Sequence, residues 1–180
     1  MLEIAQAAVR GGADIVQLRH KSLPRGELLT LARELRDVVR GPLFVVNDYV
    51  DIALLAGADG VHLGPDDLSV ASARKVAGVR LIVGVSASTA DAVQPGADYA
   101  GCGPAFATPL KPQKQVIGPA GVAALSGALS IPVFAIGGIE ESNLEQLTAL
   151  GIRRACVVRA VADARDPEQA TRRLRAMLTA

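Results

Sequence analysis

The sequence predicts an α/β fold of the TIM type, a (β/α)8 barrel that lacks its first strand. Short apolar runs (LFVV, LIVGV, VFAI and ACVV) alternate along the chain with stretches whose apolar residues recur at helical spacing. Continuous apolar strands of this kind are typical of a parallel sheet that is covered on both faces. Gly-Ala-Asp recurs at 12–14, 57–59 and 96–98, each time before a predicted strand, and this repeated unit favours a barrel over a doubly wound sheet.

Seven strands and eight helices are predicted, each from a local pattern. The strands are the apolar, β-branched runs at Asp14–Arg19, Leu43–Asp48, Gly60–Gly64, Leu81–Ser86, Tyr99–Gly103, Val133–Gly138 and Arg154–Ala160. The helices are the stretches between them, at Leu2–Arg10, Arg25–Val39, Val50–Ala56, Ser69–Val76, Thr89–Val93, Pro119–Gly127, Glu141–Leu150 and Pro167–Leu178. Glycines after helices, and Asp166 before Pro167, are typical helix boundaries.

The predicted barrel is one strand short. A complete barrel needs a strand before the helix at Leu2–Arg10, and the sequence has none there. Either the barrel is incomplete, or the gap is covered by a partner chain or by local rearrangement, or the start codon is wrongly assigned. An open edge between the strands at Asp14–Arg19 and Arg154–Ala160 favours association, which makes a homo-oligomer one expectation.

Length and composition limit the function classes. At 180 residues, 50% of them hydrophobic, the chain fits a single domain, 1–180, with a sizeable core. The 19 basic and 18 acidic residues give a net charge of +1, which does not indicate a nucleic-acid or acidic-membrane surface. No apolar run is long enough to cross a bilayer and the first residues do not resemble a signal peptide, so we expect a cytoplasmic protein. The two cysteines are too few for a disulfide framework, and both are expected to be buried.

A first group of candidate site residues ends the first predicted strand. The active sites of such barrels lie at the C-terminal ends of the strands, so polar residues there should cluster. Alternation places Gln17, Arg19 and Lys21 on one side, and this cationic set suits a phosphate or pyrophosphate. The alternative is a solvated strand end whose cations pair with local carboxylates.

Two carboxylates end the next two predicted strands. Asp48 and Asp67 would lie on neighbouring strand ends, where they form a natural pair of Mg²⁺ ligands beside a polyphosphate. The alternative role is a helix cap, and we assign that role to Asp66, before the helix that starts near Ser69.

The later strands add smaller groups. Ser86 either binds phosphate or starts the next helix, and the long loop at 105–118 contains Thr108 and Lys111, of which Lys111 could close over a phosphate. Gly137 and Gly138, at the end of the sixth predicted strand, and the backbone near Arg159 resemble the phosphate site common in these barrels. The Arg159 side chain could add charge there or face outward in a salt bridge.

Histidines offer no evident base or nucleophile. His62 is interpreted as a buried or supporting residue, and no Ser-His-Asp or Cys-His arrangement can be assembled from the strand ends. Cations, two carboxylates and backbone amides without a nucleophile indicate chemistry in which pyrophosphate leaves and the protein stabilises charge.

Ordered segments covering nearly the whole chain resemble the thiamine phosphate synthase family. They are QLRHK, VVNDYVDIALLAGADGVHLGPDD, GVSAS, DYAGCGPAFATPLK, FAIGGI and VVRAV. The resemblance implies that hydroxymethylpyrimidine diphosphate and thiazole phosphate are joined, with release of pyrophosphate assisted by Mg²⁺. It implies that the pyrimidine diphosphate is held by Gln17, Arg19, Lys21, Asn47, Ser86 and Lys111, Mg²⁺ by Asp48 and Asp67, and the thiazole phosphate by Thr108, Gly138, Val158 and Arg159.

Three departures from the family's pattern leave alternatives open. The loop has Leu110 where the family usually has threonine, and Ser88 stands where relatives usually have histidine. The third departure is the missing first strand. A thiazole tautomerase-like paralogue relies on that histidine, so Ser88 argues against it, whereas Leu110 and the missing strand favour a non-catalytic paralogue that binds phosphate.

Overall fold

The structure, a computed structural model, describes residues 1–109, 113 and 115–180. In this part of the chain seven parallel strands form one sheet in chain order: β1 (Ile15–Leu18), β2 (Leu43–Asn47), β3 (Gly60–Leu63), β4 (Ile82–Ala87), β5 (Tyr99–Cys102), β6 (Val133–Ile136) and β7 (Ala155–Cys156). The α-helices described are α1 (Leu2–Arg10), α2 (Arg25–Val38), α3 (Val50–Leu55), α4 (Val70–Ala77), α5 (Gly118–Ala128), α6 (Glu145–Thr148), α7 (Arg159–Ala162) and α8 (Pro167–Thr179). This is a TIM-type fold, as predicted.

The last predicted strand, at Arg154–Ala160, is wrong beyond its first residues. β7 ends at Cys156 because β6, its neighbour among the described strands, ends at Ile136, the partner of Cys156 in the sheet register. Beyond it the backbone turns at Val158 (φ −121°, ψ −78°) and α7 begins. The helix predicted at Thr89–Val93 is a single 3-10 turn, so α7 takes its place among the eight helices described.

Each Gly-Ala-Asp tripeptide forms a turn at the N-terminal end of a strand, as predicted. Its glycine has a left-handed φ, of +92° at Gly12, +64° at Gly57 and +86° at Gly96. The carboxylates of Asp59 and Asp98 each accept a hydrogen bond of 2.7 Å from a backbone N–H near the start of the preceding strand. Each of them also pairs with an arginine of a helix, Arg36 or Arg74. The repeat therefore stabilises the end of the barrel opposite the predicted site.

The two faces of the sheet differ in composition. Side chains on the outer face are buried against the helices; they include Phe44, Val46, Val61, Leu63, Val83, Val85, Ala100, Cys102, Val133 and Ala135. The other face, called here the open face, carries in register Ile15, Gln17, Leu43, Val45, Asn47, Gly60, His62, Ile82, Gly84, Ser86, Tyr99, Gly101, Phe134, Ile136 and Cys156. TIM barrels usually fill this side with branched aliphatic residues, so its glycine and polar residues mark it as functional.

The sheet is open, but helices cover the gap between its two edges. β1 and β7 are the two edges of the sheet, so the gap that the sequence predicts lies between them. Outside this gap α1 packs against both α8 and α2. The ring of helices is therefore continuous where the ring of strands is interrupted.

Two smaller expectations are corrected. The cap of α4 is Ser69 rather than Asp66, because Ser69 Oγ accepts a 3.1 Å hydrogen bond from the N–H of Ser72. Cys102 is buried as expected, but Cys156 is exposed because it lies on the open face of an edge strand.

Among the helices described, none has the length and apolarity needed to cross a membrane.

Candidate active site

Three charged side chains meet at the C-terminal ends of β1, β2 and β3. Lys21 lies three residues beyond β1, and its ammonium group forms an ion pair with the carboxylate of Asp48. The side chain of Asp48 is only 7% exposed, whereas that of Lys21 is 52% exposed. Asp67, four residues beyond β3, is close enough to Asp48 for the two carboxyl groups to interact.

The environment of Asp67 shows how closely these groups are packed. Burial raises its pKa above the usual range, and the neighbouring Asp48 raises it further, while the Gly64 N–H and Lys21 lower it. The N–H of Gly64 donates a 2.7 Å hydrogen bond to Asp67 Oδ2. A Cβ at Gly64 would lie 2.9 Å from the same oxygen, so glycine here leaves room for the carboxylate.

The backbone at Asp48 is strained. Its φ is +70°, and no other non-glycine residue among those described has a left-handed φ. Its N–H nevertheless donates a 2.8 Å hydrogen bond to the carbonyl of His62, which ties the end of β2 to β3. Strain of this kind is retained when the surrounding structure requires it, and it is common at functional sites.

The donor set fits the magnesium site expected from the sequence. Two neighbouring carboxylates with a single ammonium group leave unbalanced negative charge, and Mg²⁺ commonly takes one or two protein carboxylates with phosphate and water oxygens. Within the described residues no group of three or more His, Cys, Asp or Glu could hold a metal. A site at Asp48 and Asp67 would take its other ligands from water or from the phosphate oxygens of a substrate.

A second polar arrangement lies on the open face. The hydroxyl of Tyr99 is 3.0 Å from Nδ1 of His62, and Nε2 of His62 is 2.9 Å from Oγ of Ser86. His62 is buried, with 8% of its surface exposed. Gly84 leaves room for this arrangement, because a Cβ there would lie 2.0 Å from Cζ of Tyr99.

Sequence reasoning identified Ser86 and gave His62 a supporting position, but it did not identify Tyr99. Ser86 lies within β4 and does not start a helix, so that alternative is wrong. The signal for Tyr99 was Gly84, opposite it in the preceding strand, and this pairing can be recognised only once the register of β4 and β5 is known.

Three more of the residues predicted to hold the diphosphate lie around the same end of the barrel. Gln17 and Asn47 lie on the open face near the ends of β1 and β2. Arg19 follows β1 and is exposed, and it makes no ion pair with any residue that the structure describes. Lys111 lies outside the described residues, as does Leu110.

The residues predicted for the thiazole phosphate lie beyond β6 and β7. Gly137 and Gly138 have φ values of +92° and +64°, and a Cβ on Gly138 would lie 2.5 Å from the carbonyl oxygen of Ala107. The glycines therefore allow the loop after β5, which contains the half-buried Thr108, to pass close by.

The Arg159 side chain faces outward, one of the two alternatives that the sequence left open. It lies 3.5 Å from a carboxylate oxygen of Glu140, and both groups are exposed. The exposed Val158 precedes it at the start of α7. An open cleft of about 420 Å³ lies beside this ion pair, lined by Glu140, Glu141, Ser142, Arg159, Ala160, Asp163 and Ala164. Its walls carry three carboxylates, so it is less suited to a phosphate than the ends of β1 to β3.

Comparisons with known proteins agree with this geometry. A family model described as thiamine monophosphate synthase matches residues 1–161. The chain is 46% identical over 177 residues to the thiamine-phosphate synthase of Gloeobacter violaceus, covering 95% of this chain and 52% of that protein. It is 43% identical over 185 residues to the thiamine-phosphate synthase of Moorella thermoacetica, covering 99% of this chain and 88% of that protein. The chain thus spans about half the length of the first relative and most of the second.

A solved structure gives the same result in three dimensions. The thiamine phosphate pyrophosphorylase from Pyrococcus furiosus superposes with a TM-score of 0.92 at 36% sequence identity. The superposition covers 99% of this chain and 89% of that one, so the arrangement of strands and helices described above is shared almost throughout.

Proposed function

The chain belongs to the thiamine monophosphate synthase family, and we propose that it joins hydroxymethylpyrimidine diphosphate to thiazole phosphate, giving thiamine phosphate and pyrophosphate. The observation that carries this proposal is the meeting of Lys21, Asp48 and Asp67 at the ends of three adjacent strands. One ammonium group and two carboxylates suit a diphosphate bound together with a divalent cation.

In this proposal Asp48 and Asp67 hold Mg²⁺. The ion would supply positive charge to the oxygens of the departing pyrophosphate. Lys21 pairs with Asp48, so its ammonium group would lie beside the same oxygens when the substrate binds. Arg19, exposed beside it, adds a second positive charge and Gln17 a neutral hydrogen-bond donor.

The other substrate needs mainly to be positioned. The carbon–oxygen bond to the pyrophosphate breaks, the pyrimidine ring stabilises the positive charge on its methylene carbon, and the thiazole nitrogen then bonds to that carbon. Holding the two substrates side by side supplies much of the acceleration, because it replaces an encounter in solution. Asn47 and Ser86 face the pyrimidine diphosphate in this arrangement, and the backbone at Gly138, Val158 and Arg159, with Thr108, surrounds the thiazole phosphate.

The partners in this proposal are two small phosphorylated molecules. The open edges of β1 and β7 support the further proposal of a homo-oligomer, since an unpaired strand edge favours association. Sedimentation of the purified chain at several concentrations tests this part separately from the activity.

Product formation tests the proposed activity. The purified chain is supplied with both phosphorylated substrates and Mg²⁺, and thiamine phosphate is quantified with and without EDTA. We expect product that disappears when EDTA removes the metal. Absence of product with Mg²⁺ present, in a protein that unfolds cooperatively on heating, would contradict the proposal and favour a paralogue that only binds phosphate.

A further inference from the structure

The chain of hydrogen bonds through Tyr99, His62 and Ser86 has a direction that the geometry determines. We propose that Tyr99 and His62 are positioning residues that fix the hydroxyl proton of Ser86, so that Ser86 donates a hydrogen bond toward the substrate. The proposal depends on the proposed function only for the identity of that substrate, an anionic diphosphate. The direction of these hydrogen bonds is a property of the protein itself.

The first step concerns the Tyr99 hydroxyl, which has a single proton to donate. Its hydrogen-bond partner among the described residues is Nδ1 of His62, at 3.0 Å. The ring of Tyr99 lies over Gly84 and packs edge-on against Phe134, with ring centroids 5.4 Å apart. Burial raises the pKa of the hydroxyl, so the oxygen keeps the proton that it can donate.

The second step concerns the imidazole of His62. A neutral histidine that accepts a hydrogen bond at Nδ1 carries its own proton at Nε2. Nε2 is 2.9 Å from Ser86 Oγ, so this N–H donates to the serine oxygen. In the reverse direction His62 would donate to Tyr99, and the half-buried phenol would then have no acceptor for its proton within the described part of the chain, which favours the first direction.

The third step concerns Ser86 itself. Because its oxygen accepts from His62, its own proton is free to point away from the imidazole and toward the ligand side of the open face. Ser86 is then a hydrogen-bond donor to an anionic oxygen, and it is not a nucleophile activated by a histidine base. This agrees with chemistry in which the leaving group already carries the charge.

The tautomer of His62 can be measured directly. Long-range ¹H–¹⁵N spectra of the ¹⁵N-labelled protein separate the two neutral tautomers, and the chain has only two histidines. A His20→Asn variant assigns the signals. We expect the proton of His62 at Nε2 in the native protein and a shift toward Nδ1 in Tyr99→Phe, which removes only the hydroxyl. A native proton at Nδ1, or an unchanged tautomer in Tyr99→Phe, would overturn the proposal.

A double-mutant cycle tests whether the hydrogen bonds from Tyr99 through His62 to Ser86, called here the relay, affect activity. We expect Tyr99→Phe to lower kcat about 10-fold, in the range for one hydrogen bond to a charged group, but by less than about 2-fold in a Ser86→Ala background. Equal effects in both backgrounds would mean that Tyr99 does not act through Ser86. Tyr49→Phe, at the only other tyrosine, is the matched control and should leave kcat unchanged. If the native protein formed no thiamine phosphate, the proposed function would fail while the tautomer measurement still decided the relay.

Discussion

At the scale of single residues, Asp48 combines a buried carboxylate with an unfavourable backbone. Asparagine tolerates a left-handed φ better than alanine does, so Asp48→Asn removes the charge with little added strain. We expect Asp48→Asn to fold normally but to bind Mg²⁺ with pyrophosphate about 10- to 100-fold more weakly, as for the loss of a contact with a charged group. Isothermal titration calorimetry measures this, with Asp66→Asn as the control at an exposed neighbouring carboxylate. Equal affinities in the two variants would remove Asp48 from the metal site.

Tyr99 should make the stability of the protein sensitive to alkaline pH. Burial raises its pKa, so above the ordinary tyrosine pKa of about 10 the unfolded chain releases a proton that the folded chain retains. The unfolded state then binds fewer protons, and the free energy of unfolding falls as pH rises. Urea unfolding between about pH 8 and 11 should show a smaller loss in Tyr99→Phe than in the native chain, whereas Tyr49→Phe should behave as native. Parallel curves for all three proteins would show that Tyr99 is not desolvated.

At the scale of elements, β4 is shaped to leave space for the aromatic ring of β5. A Cβ on Gly84 would lie 2.0 Å from Cζ of Tyr99 and 2.5 Å from its hydroxyl oxygen, and both belong to a packed ring that cannot move freely. We expect Gly84→Ala to lower the free energy of unfolding by about 1–3 kcal/mol and to break the contact between Tyr99 and His62. Gly127→Ala in α5 has open space around it and should be neutral or slightly stabilising. A native-like unfolding midpoint for Gly84→Ala would contradict this packing.

The Gly-Ala-Asp turns share a sequence but differ in what their carboxylates hold. Asp59 accepts a hydrogen bond from the N–H of Phe44 as well as an ion pair from Arg36, whereas Asp14 contacts only Arg175 among the described side chains and is 75% exposed. We expect Asp59→Ala to cost about 1–3 kcal/mol, because a buried N–H loses its partner, and Asp14→Ala to cost less than about 1 kcal/mol. Urea unfolding measures both losses of free energy, provided that the slope of the unfolding free energy against urea concentration is the same in the variants as in the native chain. Equal costs would mean that the ion pairs, rather than the backbone hydrogen bond, stabilise these turns.

The elements also show what the sequence could predict. The Lys21, Asp48 and Asp67 cluster was predictable because the ends of parallel strands meet at one edge, whatever the detailed register. The relay from Tyr99 to Ser86 was not, because it depends on register across three strands. The strand predicted to reach Ala160 failed for a related reason, since an apolar run does not reveal where its neighbour ends.

At the scale of the whole molecule, the open sheet makes the helices that cover the gap important. In a complete barrel the strands close the structure through backbone hydrogen bonds, but here β1 and β7 are both edges. The contact of α1 with α8 spans that gap from outside, and its fit depends on Gly11. A Cβ at Gly11 would lie 2.6 Å from the carbonyl oxygen of Glu168 and 2.6 Å from Cβ of Thr171. The two helices could not then keep their present distance.

Gly11→Ala should therefore destabilise the whole chain, although its added Cβ would meet Glu168 and Thr171 rather than a residue of the predicted site. We expect a loss of about 1–3 kcal/mol, typical of overpacking, and a fall in Tm of roughly 2–4 °C for each kcal/mol in a chain of this size. Gly26→Ala, which has open space around it in α2, is the matched control and should leave Tm within about 2 °C of native. Thermal unfolding followed by circular dichroism measures both. If Gly11→Ala melted like the control, the contact between α1 and α8 would not hold the open barrel together, and the outer layer could loosen there without affecting the sheet.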